Sequence, residues 1–109
     1  MVSMYAEYIK EREGKQIIED EKGFATFMIK GTECYIADIF IKKEFRNAGA
    51  GSNYADQISI IARENGCEVL TGSVTPSFRG ASVSMQAQLK YGFEISSAHE
   101  DFILLKKGL

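Results

Sequence analysis

The 109-residue chain is poor in the residues on which several common active sites depend. It contains one histidine, His99, and two cysteines, Cys34 and Cys67. A single histidine leaves little material for a histidine-rich metal cluster or for a Ser-His-Asp or Cys-His pair. The cysteines form no C-x-x-C pair, so we interpret both as small apolar core residues rather than redox or metal groups. His99 stands in a polar stretch and is interpreted as a surface residue.

Positive charge is not in excess either. The formal net charge is −2 and the calculated pI is about 5.4, so we expect no broad basic face and no nucleic acid as the main partner. The sequence has no cationic leader and no apolar run long enough to cross a membrane. We therefore expect a soluble, cytoplasmic protein that does not bind membranes. Its length is that of one domain, residues 1–109.

What the chain does contain is a glycine loop between a strand-like run and a helix-like run. The loop, residues 46–52, follows the apolar run 35–41 and precedes the helix-like run 53–65. Its glycines allow a tight turn and a close approach to an anion. The first amides of a helix have no intrahelical partner and lie at the positive end of the helix dipole. Strand, glycine loop and helix in this order predict a site where backbone N–H groups hold a phosphate.

Two common phosphate-binding patterns do not fit this loop. The dinucleotide pattern G-x-G-x-x-G/A, started at Gly49, would put Tyr54 at its third small position, and the chain has no Gly-Lys-Ser or Gly-Lys-Thr for a P-loop. The pattern [QR]-x-x-G-x-[GA] does fit, with Arg46, Gly49 and Gly51, and it resembles the pyrophosphate loop of the GNAT acyltransferase superfamily. The segment IFIKKEFR, residues 39–46, is similar to the segment that leads into the loop in that family. The segment LKYGFE, residues 89–94, is similar to the Leu-Gly-Phe motif that follows the family's last helix. The resemblance covers residues 24–106.

The order of the predicted elements indicates an α/β fold with a mixed sheet. We expect strands over 4–12, 24–30, 34–41 and 68–74, helices over 53–65 and 81–91, and a terminal hairpin of 93–95 and 102–106. Residues 16–20 fit either a short strand or one helical turn. The strands on either side of the first helix would be parallel. An antiparallel meander would thus lead into a parallel β-α-β core, as in the GNAT fold, whose central strands splay apart at the cofactor.

Two expectations concern how the sheet is covered. The strand over 34–41 is apolar on both alternating faces, which predicts a central strand covered on both sides. Most members of the family place two helices between their first and second strands, and these helices wall the acceptor pocket. Residues 4–24 leave no room for them, so the acceptor groove would be open or completed by another subunit, for example in a homodimer.

The resemblance implies an acyl-CoA-dependent N-acyltransferase, in particular an N-acetyltransferase that uses acetyl-CoA, and it implies no metal. The acceptor would be an amine, and both a protein lysine or N-terminus and a small molecule remain open. The resemblance also implies three groups of cofactor-binding residues. A strand edge along the pantetheine arm consists of Ile39, Phe40 and Ile41, and one hydroxyl near the arm belongs to Ser82. The loop around the diphosphate consists of Arg46, Asn47, Ala48, Gly49, Ala50, Gly51 and Ser52.

The chain departs from the family at the position of the general acid. Many members carry a tyrosine four residues before the glycine of the Leu-Gly-Phe motif. That glycine is Gly92 in this chain, so the position of the tyrosine is occupied by Gln88. A glutamine side chain forms hydrogen bonds but is not an acid. Tyr91 has a phenol nearby, at a position that a packing residue usually fills. Both a role as the general acid and a role in packing stay open for it. The departure also leaves a second hypothesis: a GNAT-fold regulatory or interaction module that binds coenzyme A without transferring an acyl group.

Asp38 is the candidate base. A lysine amine has a pKa of about 10.4 and must lose its proton before it attacks, which calls for a base or a water chain. Asp38 is the only acidic residue within the apolar run 35–41, beside the presumed pantetheine arm. A carboxylate in an apolar strand is expected either to pair with a cation such as Arg46 or to favour its protonated form, which would suit a base.

Overall fold

The computed structural model describes residues 3–109, which form a six-stranded sheet with helices. In chain order the elements are α1 (Met4–Tyr8), a π-helical turn (Ile9–Glu13), β1 (Gln16–Asp20), β2 (Gly23–Lys30), β3 (Glu33–Ile41), a 3-10 turn (Lys43–Phe45), α2 (Ala50–Glu64), β4 (Val69–Val74), α3 (Ala81–Tyr91), β5 (Glu94–His99) and β6 (Phe102–Gly108). The sheet order is β1-β2-β3-β4-β6-β5. β3 and β4 are parallel, whereas the other neighbours are antiparallel. The predicted mixed sheet is confirmed.

The prediction of a strand over residues 4–12 is wrong, because this segment is helical. Ser3 caps α1, and its side chain accepts a hydrogen bond from the amide of Ala6 at 3.0 Å. Ala6 and Ile9 are buried, and their spacing of three residues is that of a helix face. The aromatic and branched residues that suggested a strand are thus overridden by packing against the sheet.

The remaining elements lie close to their predicted positions. Residues 16–20 form a strand rather than a helical turn, and they pair with β2 from Gln16↔Phe27 to Asp20↔Gly23. Helix α2 begins three residues earlier than predicted and ends beside the expected stop at Asn65 and Gly66. Helix α3 has the predicted bounds, and the terminal hairpin is present but longer than predicted. None of the helices within residues 3–109 has the length and apolar character needed to span a bilayer.

Helices α2 and α3 cover the same face of the sheet. Tyr54 and Ile58 of α2 share the core cluster with Leu70 of β4. Gly72, two residues further on and therefore on the same face, lies against the side chain of Gln88 in α3. The two helices also contact each other through a hydrogen bond between Tyr91 and Asp56. The core is therefore one layer between this face and the two helices.

The opposite face, which we call the open face, is covered only in part. Phe24 of β2 points to it, since the neighbouring Ala25 lies in the core. The ring of Tyr5 in α1 lies 5.1 Å from that of Phe24, and Phe24 lies 5.6 Å from Phe40, its partner on β3. The short α1 is the cover here, so the second half of β3 is exposed at residues 38–40. β3 is central as predicted, but the expectation that it is covered on both sides is wrong for this half.

Candidate functional site

β3 and β4 separate soon after they begin. Their parallel pairs run from Glu33↔Val69 to Tyr35↔Thr71, although β3 continues to Ile41 and β4 to Val74. A bulge at Ala37 coincides with the separation, because Ile36 pairs with Phe27 of β2 and Asp38 pairs with Thr26. Bulges increase the local twist of a strand. Within residues 3–109, no strand pairs with the later part of β3 on the β4 side. The edge of residues 39–41, where the pantetheine arm was expected, is therefore unpaired by any strand, although the carbonyl of Ile41 accepts a hydrogen bond from the side chain of Arg46.

The loop after β3 has a row of amides that the protein does not use. Within residues 3–109, no hydrogen bond to a protein group involves the N–H groups of residues 47–52, and the first helical bond runs from the amide of Asn53 to the carbonyl of Gly49 at 3.0 Å. Asn47 and Gly49 have φ values of +63° and +82°. Such alternation of left-handed residues turns successive N–H groups toward one concave surface, which binds anions. The dipole of α2 adds positive potential at the same place.

Arg46 is held between the strand end and the loop. Its Nε donates a hydrogen bond to the carbonyl of Ile41 at 2.9 Å, and its guanidinium carbon lies 5.9 Å from the ring centroid of Phe40. Among the described residues, no carboxylate lies within 4.0 Å of the guanidinium. The predicted pairing of Arg46 with Asp38 is therefore not formed. A fixed guanidinium with free N–H groups beside six free amides is suited to an anion with several oxygens.

Asp38 lies on the open face, opposite Thr26 of β2, and its side chain is exposed. Its strand was expected to be covered on both sides, but Asp38 is exposed because α2 and α3 lie on the other face. A nearby cation is Lys15. The pKa of Lys15 is raised, chiefly by its hydrogen bond to Glu13 and further by the negative charges of Glu13 and Asp38. Burial acts in the opposite direction and lowers it. The role of Asp38 as a base stays a prediction.

Tyr91 has the contacts of a packing residue. Its hydroxyl donates a hydrogen bond to Asp56 of α2 at 2.6 Å, and its ring lies 6.1 Å from that of Phe93. Burial, followed by the hydrogen bond to Asp56, raises the pKa of Tyr91, which makes the phenol a weaker acid. Its role as the acid stays a prediction, but these contacts favour packing. Ser82, the other residue predicted on α3, is exposed in the first turn of that helix.

Gln88, at the position of the family's tyrosine, is bound to β4. Its Nε2 donates hydrogen bonds to the carbonyl of Ser73 at 3.2 Å and to the hydroxyl of Ser84 at 3.3 Å. Its Oε1 is buried and has no hydrogen-bond partner among residues 3–109. The glycine at position 72 leaves room for the amide in this position, since a Cβ there would lie 2.4 Å from Oε1. Gln88 thus fixes the part of β4 that borders the gap between β3 and β4.

A hydroxyl pair that spans the gap between β3 and β4 was not predicted from the sequence. The phenol of Tyr35 and the hydroxyl of Ser73 are 2.7 Å apart and hydrogen-bonded, although 38 positions separate these residues along the chain. Tyr35 is the last residue of β3 that pairs with β4, and Ser73 lies beyond the last paired residue of β4. Only the pairing of the two strands brings these residues together, which explains why no local pattern indicated them.

A groove of about 400 Å³ on the open face leads to Tyr35. Its walls come from four strands and combine apolar side chains with three charged ones: Met28, Lys30, Glu33, Tyr35, Thr71, Leu104 and Lys106. It therefore begins where β3 and β4 are still paired and reaches the residue at which they separate. A groove of this size can hold a small molecule or one side chain of a larger one.

Comparison with known proteins agrees with this arrangement. The model of the acetyltransferase (GNAT) family matches residues 5–91. No curated protein sequence matches the chain. Among solved structures, the chain is similar to the PaiA N-acetyltransferase of Thermoplasma acidophilum in complex with coenzyme A, with 17% identity and a TM-score of 0.76 over 94% of this chain and 67% of that one.

Two further structures are similar. A GNAT family acetyltransferase of Elizabethkingia anophelis with acetyl-CoA bound has 17% identity and a TM-score of 0.73 over 94% of this chain and 82% of that one. An acetyltransferase of Bacillus cereus has 21% identity and a TM-score of 0.67 over 87% of this chain and 71% of that one. These likenesses are in the fold, and the family model covers most of the sequence. The chain belongs to the GNAT acetyltransferase family.

Proposed function

We propose that this protein is an acyl-CoA-dependent N-acyltransferase that transfers an acetyl group to an amine. One observation carries the proposal: a row of free amides at residues 47–52 lies directly beyond the strand edge that β4 leaves unpaired. Diphosphate and pantetheine are the two parts of coenzyme A that such groups recognise, the first by converging N–H donors and the second by backbone pairing along a strand. Two solved relatives of similar fold have coenzyme A or acetyl-CoA bound.

Each part of the site has one task in this proposal. The amides of residues 47–52 and the guanidinium of Arg46 bind the diphosphate, and the edge of residues 39–41 that β4 leaves unpaired aligns the pantetheine amides. Ser82 is assigned to the arm from the side of α3. The bound coenzyme supplies an activated acyl thioester. The protein supplies orientation, and well-oriented reacting pairs gain about 7–11 kcal/mol from proximity.

The acceptor reaches the thioester from the open face. The groove lined by Tyr35 is on this face, and so is Asp38, to which the proposal assigns the proton of the incoming amine. The face is covered by only a short helix, so a lysine or an N-terminus on a larger molecule fits this approach as well as a small amine does. The identity of the amine and the existence of a homodimer are separate questions that enzyme assays with different amines and sedimentation would address.

The second candidate is a module that binds coenzyme A without transfer. Gln88 favours it, because the side chain at the usual position of the acid is engaged with Ser73 and Ser84 and has no ionisable proton. Free thiol measurement separates the two candidates. Acetyl-CoA is incubated with L-lysine, spermidine and a lysine-containing peptide in turn. Release of thiol well above the uncatalysed rate supports the transferase, whereas binding without release supports the module.

Calorimetric titration with coenzyme A tests the site itself. Replacing Gly49 with valine puts a branched side chain at φ +82°, where the amides of the loop must keep their direction, and it should abolish binding. Gly31→Val is the matched control, because Gly31 also has positive φ and open space around it but lies in the β2–β3 turn. The control should lose stability and keep its affinity. Unchanged affinity in Gly49→Val would refute the assignment of the loop.

A further inference from the structure

The hydrogen bond between Tyr35 and Ser73 is placed where an acyl transferase needs a proton donor. It spans the point at which β3 and β4 separate, since Tyr35 is in the last parallel pair and Ser73 lies just beyond it. Both side chains are partly buried, so the pair is accessible from the open face and still shielded from bulk water. Tyr35 also lines the groove.

The inference rests on the proposed function. If the pantetheine arm follows residues 39–41 from the diphosphate loop, it runs back along β3 toward the point of separation. The thioester sulfur at the end of the arm then comes near the hydroxyl pair. Within the described residues, Gln88 is bound to the backbone carbonyl of the same Ser73, and it has no proton to give.

We propose that Tyr35 is the general acid for the departing thiolate and that Ser73 positions its phenol. As the amine nitrogen forms its bond to the carbonyl carbon, the carbon–sulfur bond breaks and its electron pair moves to sulfur. Tyr35 gives its phenolic proton to that sulfur. The nitrogen, which gave its ammonium proton to Asp38 or to water before the attack, loses one further proton to water, and solvent returns a proton to the Tyr35 phenolate. The products are the amide and the free thiol, and Tyr35 is restored.

The chemistry of the groups matches this task. A phenolic hydroxyl is a hydrogen-bond donor, and as a general acid it can share its proton with sulfur as negative charge develops there. A hydrogen bond to a charged group is stronger than one between neutral groups. The charged groups that face Tyr35 are Lys15 and Asp38 near the bulge and Lys30, Glu33 and Lys106 along the groove.

The test measures binding and needs no acceptor. A phenol that donates to sulfur stabilises the thiolate form of bound coenzyme A, so affinity for coenzyme A should rise relative to its desulfo analogue as the pH increases from 7 to 9. We define the affinity ratio as the affinity for coenzyme A divided by that for desulfo-coenzyme A. Calorimetry of the full chain should show that this ratio increases about tenfold, which is the effect of one hydrogen bond to a charged group. In Tyr35→Phe the ratio should stay constant with pH, while affinity for desulfo-coenzyme A is unchanged.

Incorporation of 3-fluorotyrosine at position 35 keeps the shape of the side chain and makes the phenol more acidic, so the preference for coenzyme A should disappear at a lower pH than in the wild type. Tyr8→Phe is the control, because Tyr8 is an exposed tyrosine of α1. With the best amine, Tyr35→Phe should also lower kcat by about 100-fold.

Three outcomes decide the matter. A pH-dependent ratio that disappears in Tyr35→Phe supports the acid. If the affinity ratio has the same pH dependence in the wild type, in Tyr35→Phe and in the fluorotyrosine protein, the role of Tyr35 is overturned and the proposed function stays intact. No binding of coenzyme A or its desulfo analogue to the wild type overturns both.

Discussion

Gln88 of α3 lies directly against Gly72 of β4, and a Cβ placed on Gly72 would be 2.4 Å from Oε1 of Gln88. In Gly72→Ala the end of the Gln88 side chain must therefore shift, which weakens its hydrogen bond to the carbonyl of Ser73. We expect the free energy of unfolding to decrease by about 1 kcal/mol, as measured by urea denaturation.

The same substitution in a Gln88→Ala background should cost nothing, because the amide that the new methyl group displaces is no longer there. A double-mutant cycle isolates this coupling. Additive effects of the two substitutions would contradict the contact between Gly72 and Gln88.

Arg46 gives a prediction about cofactor affinity. Because its guanidinium is fixed by Ile41 and Phe40 beside the free amides of the loop, Arg46→Ala should weaken the binding of coenzyme A about tenfold and reduce its dependence on salt. Arg46→Lys should restore only part of the affinity, since an ammonium lacks the planar fork of the guanidinium. Calorimetry at two salt concentrations measures both effects. Arg63→Ala, in the exposed last turn of α2, is the control and should bind like the wild type.

Asp38 gives a prediction about turnover. If its carboxylate takes the proton of the amine, Asp38→Asn should lower kcat about 100-fold and leave the affinity for coenzyme A unchanged. Thiol release and calorimetry measure the two quantities separately. Hydroxylamine, which is uncharged at neutral pH, should remove the defect because it has no ammonium proton to lose. Glu64→Gln, at the exposed end of α2, is the control. A variant as active as the wild type would exclude Asp38 from the mechanism.

The hydrogen bond between Tyr54 and Asp20 gives a prediction about pH. The phenol of Tyr54 donates to Asp20 at 2.5 Å, and this bond, together with one from the amide of Lys22, holds the pKa of Asp20 below its ordinary 3.8. A carboxyl with a lowered folded-state pKa contributes stability above its unfolded pKa and loses it as the pH falls through the folded value. Tyr54→Phe should therefore lower the free energy of unfolding by about 1 kcal/mol at pH 7.

The difference between the wild type and Tyr54→Phe should shrink below pH 3.8, where Asp20 becomes protonated in the unfolded chain and then in the folded one. Urea denaturation at a series of pH values from 7 to 2.5 measures it. Tyr8→Phe, on the exposed side of α1, should have no comparable effect. A difference that is constant over the whole pH range would mean that Asp20 does not respond to the tyrosine.

The elements with strong local signals were predicted well. Helix α2 has apolar residues at helical spacing and a glycine stop, and α3 was predicted with its observed bounds. The glycine loop was recognised because left-handed backbone at Gly49 favours a residue type that is visible in the sequence. The N-terminal segment was not, because Tyr5, Tyr8 and Ile9 fit a strand pattern equally well and only their packing on Phe24 and the sheet decides for a helix.

The catalytic part of the site was the least predictable. Asp38 was chosen because it interrupts an apolar run, but its exposure depends on which face of the sheet the helices cover. Tyr91 was chosen for its nearness to a motif, yet its hydroxyl is engaged by Asp56 of another helix. Tyr35 and Ser73 were not predicted as site residues, because neither belongs to a motif and 38 positions separate them along the chain.

From residue 24 onward, the sequence by itself determined the order of strands, loop and helices and the place where backbone amides are left free, because these follow from residue types a few positions apart. The tertiary structure alone decided where β3 and β4 separate, which face of the sheet stays open and which hydroxyl groups meet across the opening. Those features depend on a bulge, on the side to which each helix packs and on contacts between distant strands. No local preference of the chain encodes them, since each is fixed only when the whole sheet has formed.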